Sequence, residues 1–249
     1  MTRRRWLALG LLLIFGLVRL PVESGVEEAL REAKFREARL DLEMREQLSQ
    51  WSFAAALGGF RSIVATFLDL QAYGDFEQIA WGKLEKKYTV ITRLQPRNDF
   101  YWEIAHWHIG TNASSHYRNW SDKFTPDLRE HLAWSFEDKG RAILEDGIAN
   151  NPDSAELLVM LGQFYKRDGW TDPCKAAEIF GRAMELPTAK SYVTRFYGYS
   201  LAQCPGREAE AYEHLLALFR KPENRKPSLI VALKELEQKL DIPPDHRIP

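Results

Sequence analysis

The sequence is short of the residues and motifs from which most enzyme sites are built. It has two cysteines in 249 residues, and it lacks a Gly-x-Ser-x-Gly nucleophile motif, a phosphate-binding P-loop and a glycine-rich dinucleotide fingerprint. Its net charge of −1 gives no general attraction for nucleic acid or anionic lipid. We therefore expect a protein that is not an enzyme, needs no cofactor or metal ion, and does not bind nucleic acid.

Prolines divide the C-terminal part of the chain at a constant interval, because Pro152, Pro187 and Pro222 are each 35 residues apart. One unit reads Leu158-x-x-Leu161-Gly162-x-x-Tyr165, then Ala176-x-x-x-Phe180, then Pro187. This period and this order of large, small and aromatic residues resemble the tetratricopeptide repeat (TPR) family, whose units are helix–turn–helix hairpins.

The resemblance implies an all-α fold, a right-handed solenoid of about four helical hairpins with a C-terminal capping helix, over residues 58–240. The second unit carries an insertion at about 111–136, in which residues 110–124 are expected to form a loop. Thr125 and Pro126 resemble a helix cap and a first-turn proline, so a helix is predicted to begin near Asp127. Residues 241–249 are read as a tail, with ordered structure ending at residues 242–244.

The amino end predicts export or membrane anchoring. Three arginines at positions 3–5 precede an apolar run from Trp6 to Leu20. As a helix this run covers roughly 22 Å, which is short for a bilayer core of about 30 Å. An uncleaved signal anchor over residues 1–22, a cleaved signal peptide and a buried helix all remain open. In the first two cases the rest of the chain is extracytoplasmic, that is, periplasmic.

Residues 26–57 are predicted to form a charged helical stalk. The stretch 26–50 has no glycine or proline, and its apolar residues fall near helical spacing. Such a stalk either packs one stripe on the first repeat or forms a short coiled coil that makes the protein a homodimer.

Two pairs of residues, one of histidines and one of cysteines, are candidates for metal binding and for a disulfide bond. His106 and His108 lie two residues apart, which on a helix points them about 200° apart, so no metal site is expected. Cys174 and Cys204 each lie beside a proline in an inter-helix turn. Since a solenoid places such turns side by side, they form either a disulfide in an exported protein or two buried thiols.

In TPR proteins the first helix of each unit lines a concave groove that holds the partner. By the phase of the repeat, the resemblance implies that these groove positions are Asp69, Tyr73, Glu103, Trp107, Val159, Gln163, Lys166, Tyr192, Arg195 and Tyr199. The insertion adds Tyr117, Arg118 and Trp120, which either contact a partner or pack beneath the repeats. The stalk or the insertion is also able to cover part of the groove itself.

The sequence thus favours a membrane-tethered extracytoplasmic TPR scaffold or adaptor. It would bind a protein or peptide in a bacterial envelope assembly of the secretion, pilus or transporter type. Two alternatives stay open: a helical-repeat enzyme acting on an envelope polymer, and a structural spacer that dimerises through residues 26–50.

Overall fold

A computed structural model describes Ser52 and residues 59–249 of the chain. The predicted membrane segment and nearly all of the predicted stalk lie outside these described residues. The chain divides into two compact units, Met1–Arg61 and Ser62–Pro249, and the fold described below is that of the second unit. Among the described helices, none combines the length and the apolar character that a bilayer span requires.

The described part of the chain is all-helical and contains no β-strand. The α-helices, in chain order, are α1 (Arg61–Glu77), α2 (Trp81–Leu94), α3 (Asp99–His106), α4 (Ser114–Trp120), α5 (Pro126–Asn150), α6 (Ala155–Phe164), α7 (Pro173–Met184), α8 (Val193–Leu201), α9 (Glu208–Phe219) and α10 (Pro227–Lys239). A π-helix (Trp107–Ala113) joins α3 to α4, and short 3₁₀ turns occur at Pro222–Asn224 and Pro244–His246.

Side-chain caps fix where three of these helices begin. Thr125, Ser154 and Asp172 each accept a hydrogen bond from a backbone N–H three residues further on, at the starts of α5, α6 and α7. Proline occupies the first position of α5 and α7, where its missing N–H has no intrahelical partner to lose. The predicted helix start near Asp127 is therefore confirmed to within one residue.

Helices that follow one another in the chain pack against one another, from α6 through α7, α8 and α9 to α10. The long helix α5 lies against α3, the π-helix, α4 and α6. The apolar positions of the repeat pattern supply the core, because Leu158, Leu161, Ala176 and Phe180 are all buried. The predicted all-α class is thus confirmed.

The second unit differs from the sequence prediction, because residues 110–124 do not form a loop. The chain stays helical from Asp99 to Trp120, and only residues 121–125 connect it to α5. Two contacts satisfy backbone and side-chain groups of the π-helix: Ser114 Oγ donates to the Gly110 carbonyl at 2.9 Å, and Arg167 Nη2 donates to Thr111 Oγ1 at 3.0 Å. These contacts and packing against α5 override the low helix propensity of the glycine, asparagine and serines here.

His106 sits where the third unit has the small residue Gly162, and a glycine on the opposing helix makes room for its ring. The Nδ1 atom of His106 lies 3.0 Å from the Gly140 carbonyl oxygen, so this nitrogen carries the proton. A Cβ built on Gly140 would lie 2.3 Å from the Gly110 Cα. The backbones of the π-helix and α5 therefore touch at these two glycines, and neither position has space for a side chain.

The tail, 241–249, is ordered, so the prediction that structure ends at residues 242–244 is wrong. Ile248 is buried in the core formed by α8, α9 and α10. Its backbone N–H donates to the buried carboxylate of Glu237 at 2.6 Å, and Tyr212 donates to the same oxygen at 3.4 Å. One apolar side chain and one charge-assisted hydrogen bond thus fasten the tail to α10.

Candidate binding surface

A disulfide bond joins Cys174, at the start of α7, to Cys204, just after α8. Their Cα atoms are 4.8 Å apart and 30 positions apart in the sequence. The bridge ties together the turns of two successive hairpins, which is the first of the two states that the sequence left open. It fixes the position of α8 against α7 and so positions the surface described next.

A groove of about 360 Å³ lies between α8 and α10. Its lining includes Tyr199 and Gln203 from the α8 side, Val231 and Lys239 from α10, and Lys166 from the turn after α6. The Tyr199 and Ser228 hydroxyls share a hydrogen bond of 3.0 Å that joins the two walls. The groove therefore combines two alternate helices of the chain, α8 and α10, with one side chain from the turn that follows α6.

The groove combines an apolar patch with charged groups at its rim. Val231 is 56% exposed within it, although valine is usually buried. The Lys166 ammonium lies 5.5 Å from the centroid of the Phe196 ring, a cation–π distance that orients it. Lys239 and Glu235 add one charge of each sign. This chemistry suits a polypeptide segment with an apolar side chain and a nearby acidic group.

A second charged region lies on α3 and α6. Burial, with repulsion from Asp99 and Glu156 next in size, raises the pKa of Glu103, while Lys190 acts in the opposite direction. The Lys190 ammonium lies 2.9 Å from the Glu156 carboxylate. Asp99 and Glu103 are one helical turn apart on α3, and α6 carries Glu156, so these two helices carry acidic groups with one basic residue, Lys190, paired to Glu156.

The predicted groove residues divide into accessible and inaccessible groups. The exposed group consists of Tyr73, Trp107, Gln163 and Lys166. The half-buried group consists of Glu103, Tyr192, Arg195 and Tyr199. Val159 is not on the surface: it is 3% exposed and packs in the core around Phe180. The reason is that α6 is apolar nearly all round, since α5 and α7 both pack against it.

Asp69 faces the fold's interior side of α1 rather than open solvent. Its carboxylate accepts a hydrogen bond of 3.0 Å from the Tyr88 hydroxyl on α2. Burial, and then the charge of Asp69, raises the pKa of Tyr88. Asp69 is therefore engaged in a contact between helices and not available to a partner in this conformation.

The three residues predicted in the insertion take three different positions. The Tyr117 ring stacks on Phe136, with centroids 5.3 Å apart and an interplanar angle of 18°. Arg118 pairs with Glu130 and Glu137 on α5. Trp120 is 70% exposed at the end of the hairpin. Packing against the helices therefore holds for Tyr117, and contact of the exposed Trp120 with a partner stays a prediction.

The histidines point in different directions. His106 faces α5, whereas the His108 ring lies 4.7 Å from Phe76 on α1 and 5.6 Å from Tyr88 on α2. His116 packs against Trp81, with ring centroids 5.7 Å apart. His106 and His108 thus cannot ligate one ion. Residues 59–249 contain no cluster of three or more histidine, cysteine or acidic side chains placed to hold a metal.

Sequence reasoning missed the contribution of α10 to the groove, because that helix was read only as a cap. A periodicity signal was present. Leu229, Leu233 and Leu236 follow one helical stripe and are buried, whereas Val231 falls outside that stripe and is exposed. An apolar residue out of phase with the core face was the sign that α10 has a second contact surface.

Comparison with known proteins identifies no family for this chain. No protein-family model matches it, and a search of curated proteins finds no match.

Proposed function

We propose that this chain is a protein-binding adaptor of the TPR type, held at a membrane by its N-terminal segment and exposed on the extracytoplasmic side. The observation that carries the proposal is the groove between α8 and α10, to which Lys166, in the turn after α6, also contributes. In a stack of helical hairpins, the first helix of each unit lines one face, and every second helix therefore meets a ligand laid along that face.

The disulfide supports the extracytoplasmic side. Disulfide bonds persist in oxidising compartments and are rare in the cytosol. A bond between Cys174 and Cys204 therefore agrees with export driven by the N-terminal arginines and apolar run. The membrane tether itself rests on the sequence of residues 1–22.

The character of the surface supports a polypeptide ligand. Trp107 is 52% exposed, and aromatic side chains in the open are common anchors of protein interfaces. Lys166, Lys239 and Glu235 give the α8–α10 groove charges of both signs. A preformed groove between packed helices also loses little conformational entropy on binding, which favours recognition of an extended segment.

The test is co-purification from membranes of the source cell, with the full chain carrying an affinity tag. Val231→Arg places a bulky cation inside the groove. Met184→Arg is the matched control, because Met184 is also an exposed apolar residue but lies on α7, outside the groove. We expect one polypeptide to co-purify with the native chain and with Met184→Arg, and to be lost with Val231→Arg. Equal recovery with all three proteins contradicts the proposal.

A further inference from the structure

Helix α1 carries an apolar stripe that no described part of the chain covers. Ile63, Phe67, Leu70 and Tyr73 recur at intervals of three and four residues, so they share one face of the helix. They are 63%, 58%, 70% and 63% exposed. The side of α1 that faces the fold is formed instead by Val64, Ala65 and Ala72, together with acidic residues.

Two of the three acidic residues of α1 are engaged elsewhere. Asp69 accepts a hydrogen bond from Tyr88, and Asp75 forms an ion pair with Lys87 on α2. The exposed residues Ser62, Thr66 and Gln71 beside the stripe are uncharged, and the exposed Glu77 lies beyond Tyr73, at the C-terminal end of α1. The stripe can therefore be removed from water without burying a charge, and two such stripes can approach without like-charge repulsion.

We propose that this stripe binds the same stripe of a second copy, with the two α1 helices antiparallel. A two-fold axis passing near Leu68 and Asp69 sets Ile63 opposite Tyr73 of the second copy. The same axis sets Phe67 opposite Leu70 of the second copy. Because the two pairs are centred at nearly the same point on the helix, the pattern is self-complementary, which is what an isologous interface requires.

The area is sufficient for such a pair. If a fully exposed large side chain presents roughly 200 Å², the exposed fractions of the four residues leave about 500 Å² on each copy. Pairing then buries about 1,000 Å² in total, the lower bound for a specific interface. An exposed apolar patch of about 500 Å² is already near the upper limit of the patch area found on soluble monomers.

The first test measures the mass of the full chain in detergent by sedimentation over a range of concentrations. We expect a dimer that Leu70→Asp converts to a monomer. Phe100→Asp is the control, because Phe100 is an exposed apolar residue on α3, outside the stripe. A native chain that is monomeric throughout overturns the proposal, as does a dimer that survives Leu70→Asp.

The second test uses cysteine cross-linking in the membrane and separates antiparallel from parallel pairing. The two native cysteines form a disulfide, so a cysteine introduced into the described residues is their only free thiol. Differently tagged Ile63→Cys and Tyr73→Cys chains are co-expressed and oxidised. In the antiparallel pair residues 63 and 73 meet, whereas two copies of residue 63 lie roughly 16 Å apart along the axis.

We therefore expect mixed 63–73 dimers in excess over 63–63 and 73–73 dimers. Three outcomes overturn the proposal: an excess of like-with-like dimers, cross-linking of the new thiols to a different protein, and loss of lipid-vesicle binding on Leu70→Asp with unchanged mass. An internal disulfide between a cysteine at position 70 and a second cysteine introduced within residues 26–57 of the same chain also overturns it. This proposal is independent of the groove, because Leu70→Asp leaves α8 and α10 unchanged.

Discussion

The Nη1 atom of Arg118 lies 2.8 Å from the Oε1 atom of Glu137, and this ion pair joins α4 to the middle of α5. The carboxylate of Glu137 is almost fully buried, and its other oxygen accepts a hydrogen bond of 3.0 Å from the Trp170 indole in the turn between α6 and α7. Glu137 therefore connects the long hairpin of the second unit to the hairpin that follows it.

Removing the Glu137 carboxylate should destabilise the fold. Glu137→Ala leaves the Trp170 N–H and one side of the Arg118 guanidinium without partners. The expected loss in the free energy of unfolding is about 2 kcal/mol, because Arg118 keeps its contact with Glu130 and remains partly hydrated. Urea denaturation measures it. Glu130→Ala, at the exposed end of the same cluster, should cost less than about 1 kcal/mol. Equal losses of stability in the two variants would contradict the larger role assigned to Glu137.

Burial lowers the pKa of His106 to about 4. In the unfolded chain the imidazole titrates near pH 6.5, so between about pH 6.5 and 4 the unfolded state binds a proton that the folded state does not. The free energy of unfolding should therefore fall as the pH drops through this window, by at most about 3 kcal/mol from this residue. Burial also lowers the pKa of His108 and His116, which adds in the same direction.

Denaturant titrations at several pH values between 4 and 7 check this. His106→Gln keeps a side-chain donor near the Gly140 carbonyl but does not titrate, so the slope of stability against pH should become shallower. His131→Gln makes the same exchange at an exposed position on α5 and is the control for the substitution itself. A His106→Gln protein with the native slope would show that this ring does not titrate as its burial implies.

Loss of the Cys174–Cys204 bridge should lower stability by roughly 3.5 kcal/mol, the chain-entropy value for a separation of 30 residues. Thermal and chemical unfolding with and without reductant give the difference. The double variant Cys174→Ser, Cys204→Ala is the control, since reductant should not affect it. Maleimide labelling of the protein from its source cell should need prior reduction, and labelling without reduction would contradict the bridge.

Because the π-helix and α5 touch at Gly110 and Gly140, the cost of a glycine-to-alanine substitution should depend strongly on its position. Gly140→Ala puts a Cβ 2.3 Å from the Gly110 Cα, and because the obstruction is backbone, α5 has to move. We expect a loss of about 2 kcal/mol in the free energy of unfolding. Gly82→Ala in α2 meets nothing within 4 Å and should leave stability unchanged or raise it by up to about 1 kcal/mol. Similar losses at both sites would contradict the close crossing.

The helical class, the caps and the core positions of the third unit could be predicted because they depend on local chemistry and on a repeated pattern. Leu158, Leu161 and Phe180 recur at the repeat interval and are buried, and a Cβ on Gly162 would lie 2.7 Å from the Phe180 ring. The small residue at that position is thus required by the neighbouring ring. In the second unit the large side chain, His106, occupies the position that corresponds to Gly162, and the small residue, Gly140, lies on the opposing helix.

Whether an apolar stripe is buried or exposed could not be predicted, because periodicity shows that a helix has an apolar face but not what that face contacts. Ile63, Phe67 and Leu70 share a face and are exposed, whereas Leu84, Tyr88 and Ile91 share a face and are buried. The two sets differ only in which elements lie opposite them. The helical insertion was missed for a related reason, since Arg167, more than 50 residues away, helps to satisfy it.

The central claim is that the groove between α8 and α10 binds a polypeptide, and site-directed photo-cross-linking in the membrane tests it most directly. A photoreactive residue replaces Gln203 in the groove or, as the control, Glu213, which is exposed on α9 outside the groove. We predict a cross-linked product with a second polypeptide from position 203 and none from position 213. Equal products from both positions, or none from position 203, would contradict a groove-binding adaptor.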